Sequence, residues 1–107
     1  MGKLTTHVLD TASGNPAQGV RVRLHHHGEL IADTVTNADG RCDAPLLMDA
    51  IPGEYQLLFA MGDYFREQGV VSPFVNEIPV HFIIECGRNY HVPLVCSPYA
   101  YSTYRGS

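Results

Sequence analysis

Short segments in which apolar and polar residues alternate recur along most of the chain, and clusters of turn-forming residues separate them. In the segment 20–25, for example, valine and leucine alternate with arginine and histidine. Alternation with a period of two places one set of side chains on each face of a β-strand. Many such strands at regular spacing are typical of a β-sandwich or β-barrel.

The alternation predicts eight strands and one short helix, packed as a two-sheet sandwich because that is a compact way to bury one face of every strand. The predicted strands are Thr5–Asp10, Gly19–His27, Glu29–Thr36, Ala44–Met48, Glu54–Met61, Ile78–Glu85, Tyr90–Cys96 and Tyr99–Arg105. The helix is predicted at Asp63–Gly69, where Asp63 would cap the first turn and Gly69 would end the last.

Length and composition indicate one globular domain that spans residues 1–107. A chain of this size buries roughly two-thirds of its unfolded surface, so it can fold without a disulfide or a metal ion. Apolar residues make up 45% of the chain, which argues against a disordered segment. No apolar run approaches the ~18 residues of a membrane-spanning helix, so no membrane partner is expected.

Charge and cysteine content narrow the expected partners and the compartment. Seven basic and eleven acidic residues give a net charge of −4 without a basic cluster, so a nucleic-acid partner is not expected. The three cysteines are odd in number and lack a Cys-x-x-Cys spacing, which favours free thiols in a reducing compartment. The N-terminal residues show no secretory pattern, and we therefore expect a cytoplasmic protein.

Strand alternation places several polar side chains on faces that point away from the core. If Val8 is buried, His7 points outward, and by the same count His91 points away from the face of Tyr90. Tyr104 and Arg105 have opposite orientations on the last predicted strand. Two histidines and a tyrosine are therefore candidates for a shared site.

Three sequence motifs resemble those of the 5-hydroxyisourate hydrolase branch of the transthyretin family. The resemblance extends over nearly the whole chain. The three motifs are Leu-Thr-Thr-His-Val-Leu-Asp at residues 4–10, Tyr-His-Val-Pro-Leu at residues 90–94 and the closing Tyr-Arg-Gly-Ser at residues 104–107. The resemblance implies an all-β, transthyretin-like two-sheet sandwich of eight strands with one short helix. It also implies a homotetramer whose sites lie in a channel between subunits.

The same resemblance implies which residues form the site. The implied catalytic residues are His7, Arg41, His91 and Ser107, and the implied substrate-binding residues are His7, Arg41, Tyr104, Arg105 and Gly106. Spacing does not decide which histidine is the general base, and the orientation of Arg105 also allows a structural role. Asn89 departs from many relatives, which carry a further histidine two residues before the one that matches His91.

The implied activity is the hydrolysis of a small molecule, 5-hydroxyisourate, to 2-oxo-4-hydroxy-4-carboxy-5-ureidoimidazoline in urate degradation, with no metal and no organic cofactor. An alternative within the same fold is a non-catalytic, transthyretin-type carrier of hydrophobic hormones. A carrier site is mostly apolar, and two imidazoles and a guanidinium would be costly to leave unpaired there. The polar and charged candidate residues therefore favour the enzyme.

Other candidate chemistries have weaker support. The run His25–His27 offers two histidines on one strand face, which is fewer than the three or four protein ligands of zinc sites, so exposed hairpin histidines are favoured. Cys86 and Cys96 flank His91 without a motif that would activate a thiol. No Gly-x-Ser-x-Gly elbow is present for serine catalysis.

Overall fold

A computed structural model describes residues 2–106. Within this range the chain forms eight strands and one helix. In chain order they are β1 (Leu4–Asp10), β2 (Asn15–Pro16), β3 (Arg21–His26), β4 (Glu29–Val35), β5 (Gly53–Ala60), α1 (Met61–Glu67), β6 (Glu77–Ile84), β7 (Tyr90–Cys96) and β8 (Tyr101–Thr103).

The strands form two four-stranded sheets. One sheet has the order β2-β1-β7-β8 and the other has the order β4-β3-β5-β6. Strands β1 and β7 run parallel, and the other neighbouring strands are antiparallel. The predicted all-β, two-sheet sandwich with one short helix is confirmed.

The core lies between the two sheets, where the apolar side chains of the alternating strands meet. Leu4 and Val8 of β1, Leu24 of β3 and Phe59 of β5 are completely buried. Burying a side chain of this size contributes about 1.5–3 kcal/mol relative to leaving it exposed. The odd-numbered residues Thr5, His7 and Leu9 are only half-buried, so the predicted orientation of β1 is confirmed.

The strand predicted at Ala44–Met48 is wrong. The segment forms one isolated bridge to β1, where Leu4 donates its N–H to the Leu47 carbonyl oxygen at 3.0 Å and accepts from the Leu46 N–H at 2.8 Å. Pro45 has no backbone N–H to donate, so it cannot add a hydrogen bond to a longer ladder. The eighth strand is instead the two-residue β2, which lies in a segment predicted to be a turn and pairs with the end of β1.

The helix begins earlier than predicted. It starts at Met61, and Ala60 precedes it without a side-chain capping hydrogen bond, so the predicted cap at Asp63 is wrong. Asp63 lies inside the first turn, where a carboxylate interacts favourably with the helix dipole, and it forms an ion pair with Arg66. The predicted end near Gly69 is confirmed, because the helix ends at Glu67 with Gln68 as its C-cap.

The last strand is shorter than predicted, but its pairing with β7 resumes near the chain end. Strand β8 covers Tyr101–Thr103, where Thr103 lies opposite Leu94. Gly106 then pairs with His91 in the same antiparallel register. Residues 103–106 therefore follow the edge of β7 towards His91.

Candidate active site

The parallel pairing of β1 with β7 brings the two predicted histidines onto one face of the sheet. Thr5 is aligned with His91, and His7 is aligned with Pro93. His7 and His91 are therefore two residues apart along neighbouring strands, on the face that points away from the core. Both imidazoles are half-buried. The sequence predicted their orientation, and the register places them together.

The surroundings of His91 favour its neutral form, and its ring contacts the hydroxyl group of Thr5. Its Nδ1 lies 2.9 Å from the hydroxyl oxygen of Thr5. Burial, followed by the positive charge of Arg41 and the proximity of His7, lowers the pKa of His91 below the ordinary histidine value of 6.5. Each cause disfavours the charged ring. His91 is therefore neutral at pH 7, as a general base has to be.

The turn at residues 37–40 fixes the backbone position of Arg41, from which its side chain extends. The Asn37 side-chain oxygen accepts hydrogen bonds from the backbone N–H groups of Asp39 and Arg41, at 2.9 and 3.2 Å. Gly40 has φ +74°, and a Cβ there would lie 2.5 Å from the carbonyl oxygen of Val8, so only glycine fits between the turn and β1. As a result, Arg41 pairs with His7 across the strands, with its side chain exposed.

The chain end contributes backbone to the same face. The Gly106 N–H donates a 2.7 Å hydrogen bond to the His91 carbonyl oxygen. A Cβ at position 106 would lie 2.8 Å from Cδ2 of the His91 ring, so the glycine lets the chain pass directly beside the imidazole. The register places Tyr104 opposite Pro93, and its side chain is exposed. Ser107 lies outside the described residues.

Arg105 lies on the other side of β7 from His91. Its guanidinium carbon is 6.0 Å from the ring centroid of Tyr90, a residue whose side chain is buried in the core. It lines a recess of about 220 Å³ together with Val80 and Val92. Within residues 2–106 no carboxylate lies within ion-pair distance of Arg105, so the anchor that the structure provides is the aromatic ring.

Beside His91, the outer face opens into a cleft of about 420 Å³. The cleft is lined by Lys3, Thr5, Arg41, Asn89, Tyr90 and His91. This lining carries two cationic side chains and no carboxylate, so the cleft suits a polar ligand with carbonyl or anionic oxygens.

Four residues of this lining were not predicted as site residues: Lys3, Thr5, Asn89 and Tyr90. The side-chain oxygen of Asn89 accepts a 2.9 Å hydrogen bond from the backbone N–H of Lys3, which ties the segment before β1 to the segment before β7. Thr5 reaches His91 through its hydroxyl group. Both contacts join residues more than 80 positions apart, and alternation within one strand carries no signal for them.

The histidine run at residues 25–27 lies in the β3–β4 hairpin, remote from this cleft. His26 stacks on Tyr55 with ring centroids 4.2 Å apart, and its Nδ1 lies 3.0 Å from the Glu54 carbonyl oxygen. Across residues 2–106 no three histidine, cysteine or acidic side chains are grouped in a way that could hold a metal ion.

The cysteines are poorly suited to nucleophilic catalysis. Cys96 is completely buried, and burial, with a smaller contribution from Asp10, raises the pKa of its thiol to about 11. Burial also raises the pKa of Cys42. A thiol with a raised pKa is protonated at pH 7 and therefore a weak nucleophile. Cys86 is exposed and does not line the cleft.

None of the helical residues that the structure describes forms a segment long and apolar enough to cross a membrane.

Comparisons with known proteins give a consistent result. Residues 4–106 match the model of the HIUase/Transthyretin family. The chain is 51% identical to a 5-hydroxyisourate hydrolase of Pseudomonas aeruginosa over 117 aligned positions, covering 100% of this chain and 93% of that protein.

Solved structures of the same architecture include a 5-hydroxyisourate hydrolase and a transthyretin in complex with thyroxine. The structure of Klebsiella pneumoniae 5-hydroxyisourate hydrolase matches with a TM-score of 0.91 and 39% identity, covering 100% of both chains. Sea bream transthyretin in complex with thyroxine matches with a TM-score of 0.87 and 29% identity, covering 97% of this chain and 94% of that one.

Proposed function

The chain belongs to the HIUase/transthyretin family, and from this premise we propose that it is a 5-hydroxyisourate hydrolase acting in urate degradation. The observation that carries the proposal is the position of His7, Arg41 and His91 on one outward face of the sheet, beside an open cleft. The full-length similarity to named 5-hydroxyisourate hydrolases supports the same substrate.

The reaction splits one water molecule across a C–N bond of the six-membered ring. The water oxygen bonds to a ring carbonyl carbon, the bond from that carbon to nitrogen breaks, and the departing nitrogen takes up a proton. The product is 2-oxo-4-hydroxy-4-carboxy-5-ureidoimidazoline. This chemistry needs a base for the water, a cation for the oxyanion and a proton donor for the nitrogen.

We assign the general base to His91 and the proton donor to His7. Because its pKa is lowered, His91 holds a free lone pair at pH 7 and can take the water proton. His7 is two residues along the neighbouring strand and can deliver a proton to the departing nitrogen. A well-placed acid or base contributes roughly 10²–10⁴-fold to the rate.

Arg41 stabilises the negative charge that develops on the carbonyl oxygen. Its guanidinium is charged at any working pH and offers a planar fork of donors, which suits the carbonyl edge of an oxidised purine. Its backbone pairing with His7 and its position in the cleft lining with His91 support this role. Losing one such donor typically costs roughly 10²–10³-fold in rate.

The four closing residues have different roles. Tyr104, whose side chain is exposed, positions the substrate, and the backbone of Gly106 closes one side of the site beside His91. Ser107, the fourth catalytic residue, would follow directly after Gly106 and provide hydrogen-bonding groups near the attacking water. Arg105 packs against Tyr90, so we assign it to anchoring the chain end rather than to binding substrate.

We further propose that the protein assembles as a homotetramer in the cytoplasm. Strands β6 and β8 are edge strands, and exposed sheet edges are commonly covered by pairing with another chain. Leu9 and Val95 are paired neighbours, half-buried on the same face as the catalytic histidines. Packing a second pair of chains over this face would bury them. The three free thiols suit a reducing compartment.

A transthyretin-type carrier has the same fold, as the thyroxine-bound sea bream structure illustrates. The cleft of this chain carries Lys3, Arg41 and His91, and such a charged lining disfavours a hydrophobic hormone. The enzyme is therefore the better-supported function, and thyroxine binding without turnover is the outcome that would favour the carrier.

The direct test follows the ultraviolet absorbance of 5-hydroxyisourate freshly made from urate. This compound decays without a catalyst, so the protein is added at several concentrations and the first-order decay constant is compared with the blank. We expect the constant to rise in proportion to protein concentration and the product spectrum to match the ring-opened compound. A decay constant equal to the blank at every concentration would refute the proposed function.

A further inference from the structure

The hydroxyl group of Thr5 is the hydrogen-bonding partner of His91 Nδ1, at 2.9 Å. The contact follows from the register, because Thr5 and His91 are directly aligned on the outer face of the parallel pair β1–β7. Threonine is β-branched, and its restricted χ1 holds the hydroxyl oxygen in place. Thr5 is half-buried, which reduces competition from solvent for this bond.

The His91 ring is held from a second direction. The backbone of Gly106 lies against Cδ2, so closely that a Cβ there would come within 2.8 Å of it. Nδ1 and Cδ2 lie on opposite sides of the imidazole, and both are occupied. Within residues 2–106, Nε2 makes no hydrogen bond and is not fully enclosed, and the ring borders the cleft.

We propose that Thr5 is a positioning residue that fixes the tautomer of His91. The Thr5 oxygen accepts the Nδ1–H of the ring, so the lone pair resides on Nε2 and faces the cleft. This inference rests on the proposed function, since it states which nitrogen of the general base takes the water proton.

The choice of a hydroxyl has a chemical consequence. A carboxylate at this position would also orient the ring, but its negative charge would favour the imidazolium and raise the pKa of His91. A neutral hydroxyl accepts the same N–H with a much smaller effect on the pKa. The other charged or titratable groups near the ring are Lys3, which precedes β1, His7 of β1, Arg41, which follows the turn at residues 37–40, and Tyr90 of β7. None of these is a carboxylate, so the base stays neutral while it is oriented.

The test compares Thr5→Val, which keeps the shape of the side chain and removes the hydroxyl, with Thr5→Ser, which restores it. We expect Thr5→Val to lower kcat roughly tenfold to a hundredfold with little change in KM, because a misplaced base slows chemistry more than binding. Thr5→Ser should recover most of the rate. Thr34→Val on β4 is the matched control and should keep the wild-type kcat.

The pH profile separates the two possible directions of the hydrogen bond. If Thr5 accepts from Nδ1–H, the bond is stronger to the imidazolium, so its loss lowers the pKa of His91 and moves the acid limb of kcat/KM to lower pH. If Thr5 instead donates to Nδ1, its loss removes a bond to the neutral ring and moves the limb to higher pH.

The ¹⁵N chemical shifts of the His91 ring give a readout that does not depend on turnover. We expect the wild-type ring to show a protonated Nδ1 and an unprotonated Nε2 above its pKa, and Thr5→Val to show a mixture of tautomers. The proposal is overturned by a wild-type rate in Thr5→Val, by an upward shift of the acid limb, or by an unprotonated Nδ1. If the wild-type protein does not hydrolyse 5-hydroxyisourate, the proposed function fails, and the ¹⁵N shifts still decide the tautomer.

Discussion

Gly106 donates its backbone N–H to the carbonyl oxygen of His91 at 2.7 Å, and its Cα faces the imidazole of the same residue. The chain end is thereby fixed at one particular position, beside the proposed general base. Gly106 and His91 are 15 residues apart in the sequence, and the antiparallel register of β7 and β8 brings them together. Substitutions at Gly106 should consequently act on the His91 ring.

The first prediction concerns Gly106→Ala. The new Cβ would lie 2.8 Å from His91 Cδ2, so either the ring or the chain end has to move. We expect kcat to fall about tenfold or more, since small displacements of a catalytic group are costly, with only a small change in melting temperature. The matched control is Gly28→Ala in the β3–β4 hairpin. Gly28 has φ +76°, so alanine there is strained but far from the site.

The control variant should lose some thermal stability and keep its turnover number. If Gly106→Ala retains the wild-type kcat, the proposed contact between the chain end and His91 has no catalytic role. Equal losses of activity in both variants would mean that general destabilisation explains the effect.

The second prediction concerns the two histidines on the outer face. His7→Ala and His91→Ala should each lower kcat by about two orders of magnitude, the usual scale for a general acid or base, while the circular dichroism spectrum stays unchanged. His81→Ala is the control, because His81 is exposed on β6 in the other sheet. Near-wild-type turnover in either site variant would show that the substituted histidine has no catalytic role.

How far the sequence predicts this site depends on the range of the interactions involved. The orientations of His7 and His91 follow from alternation within one strand, and the structure agrees with both. The bond between Thr5 and His91 depends on which strands are neighbours and on their register. Alternation predicts neither the neighbouring strand nor the register, so nothing in the sequence singles out Thr5 among the polar residues of the outer face.

The misplaced strand at Ala44–Met48 has a related cause. Its composition suits a strand, but Pro45 lacks a donor, and only Leu46 and Leu47 reach the backbone of Leu4. The opposite error occurred at Asn15 and Pro16. Both are turn-forming residues, but they form a strand because the chain folds back along the end of β1. In both cases the outcome depended on tertiary pairing, which local composition does not encode.

The third prediction concerns the effect of Arg41 on the pH profile. After burial, the positive charge of Arg41 is the largest cause of the lowered pKa of His91. Removing this charge in Arg41→Gln makes the imidazolium less unfavourable, so the pKa of His91 should rise and the acid limb of kcat/KM should move to higher pH. The rate at the plateau should also fall, by roughly 10²–10³-fold.

Arg41→Lys separates these two effects. It keeps a positive charge and loses the planar fork of donors, so the acid limb should stay near its wild-type position while the plateau still falls. An acid limb that is identical in Arg41→Gln and the wild type would show that the guanidinium does not act on the group that titrates.

The last prediction concerns assembly, and it links the outer face of the site to the oligomer. Light scattering at micromolar concentration should give about four times the chain mass of 11.8 kDa. Leu9 is half-buried on the same face as His7, and Leu9→Glu would place a charge where a second pair of chains is proposed to pack. This variant should dissociate to a smaller species and lose activity. Leu30→Glu is the control, since Leu30 is exposed on β4, and it should remain tetrameric and active. A wild-type chain that is fully active as a stable monomer would mean that the cleft beside His91 works without any partner subunit.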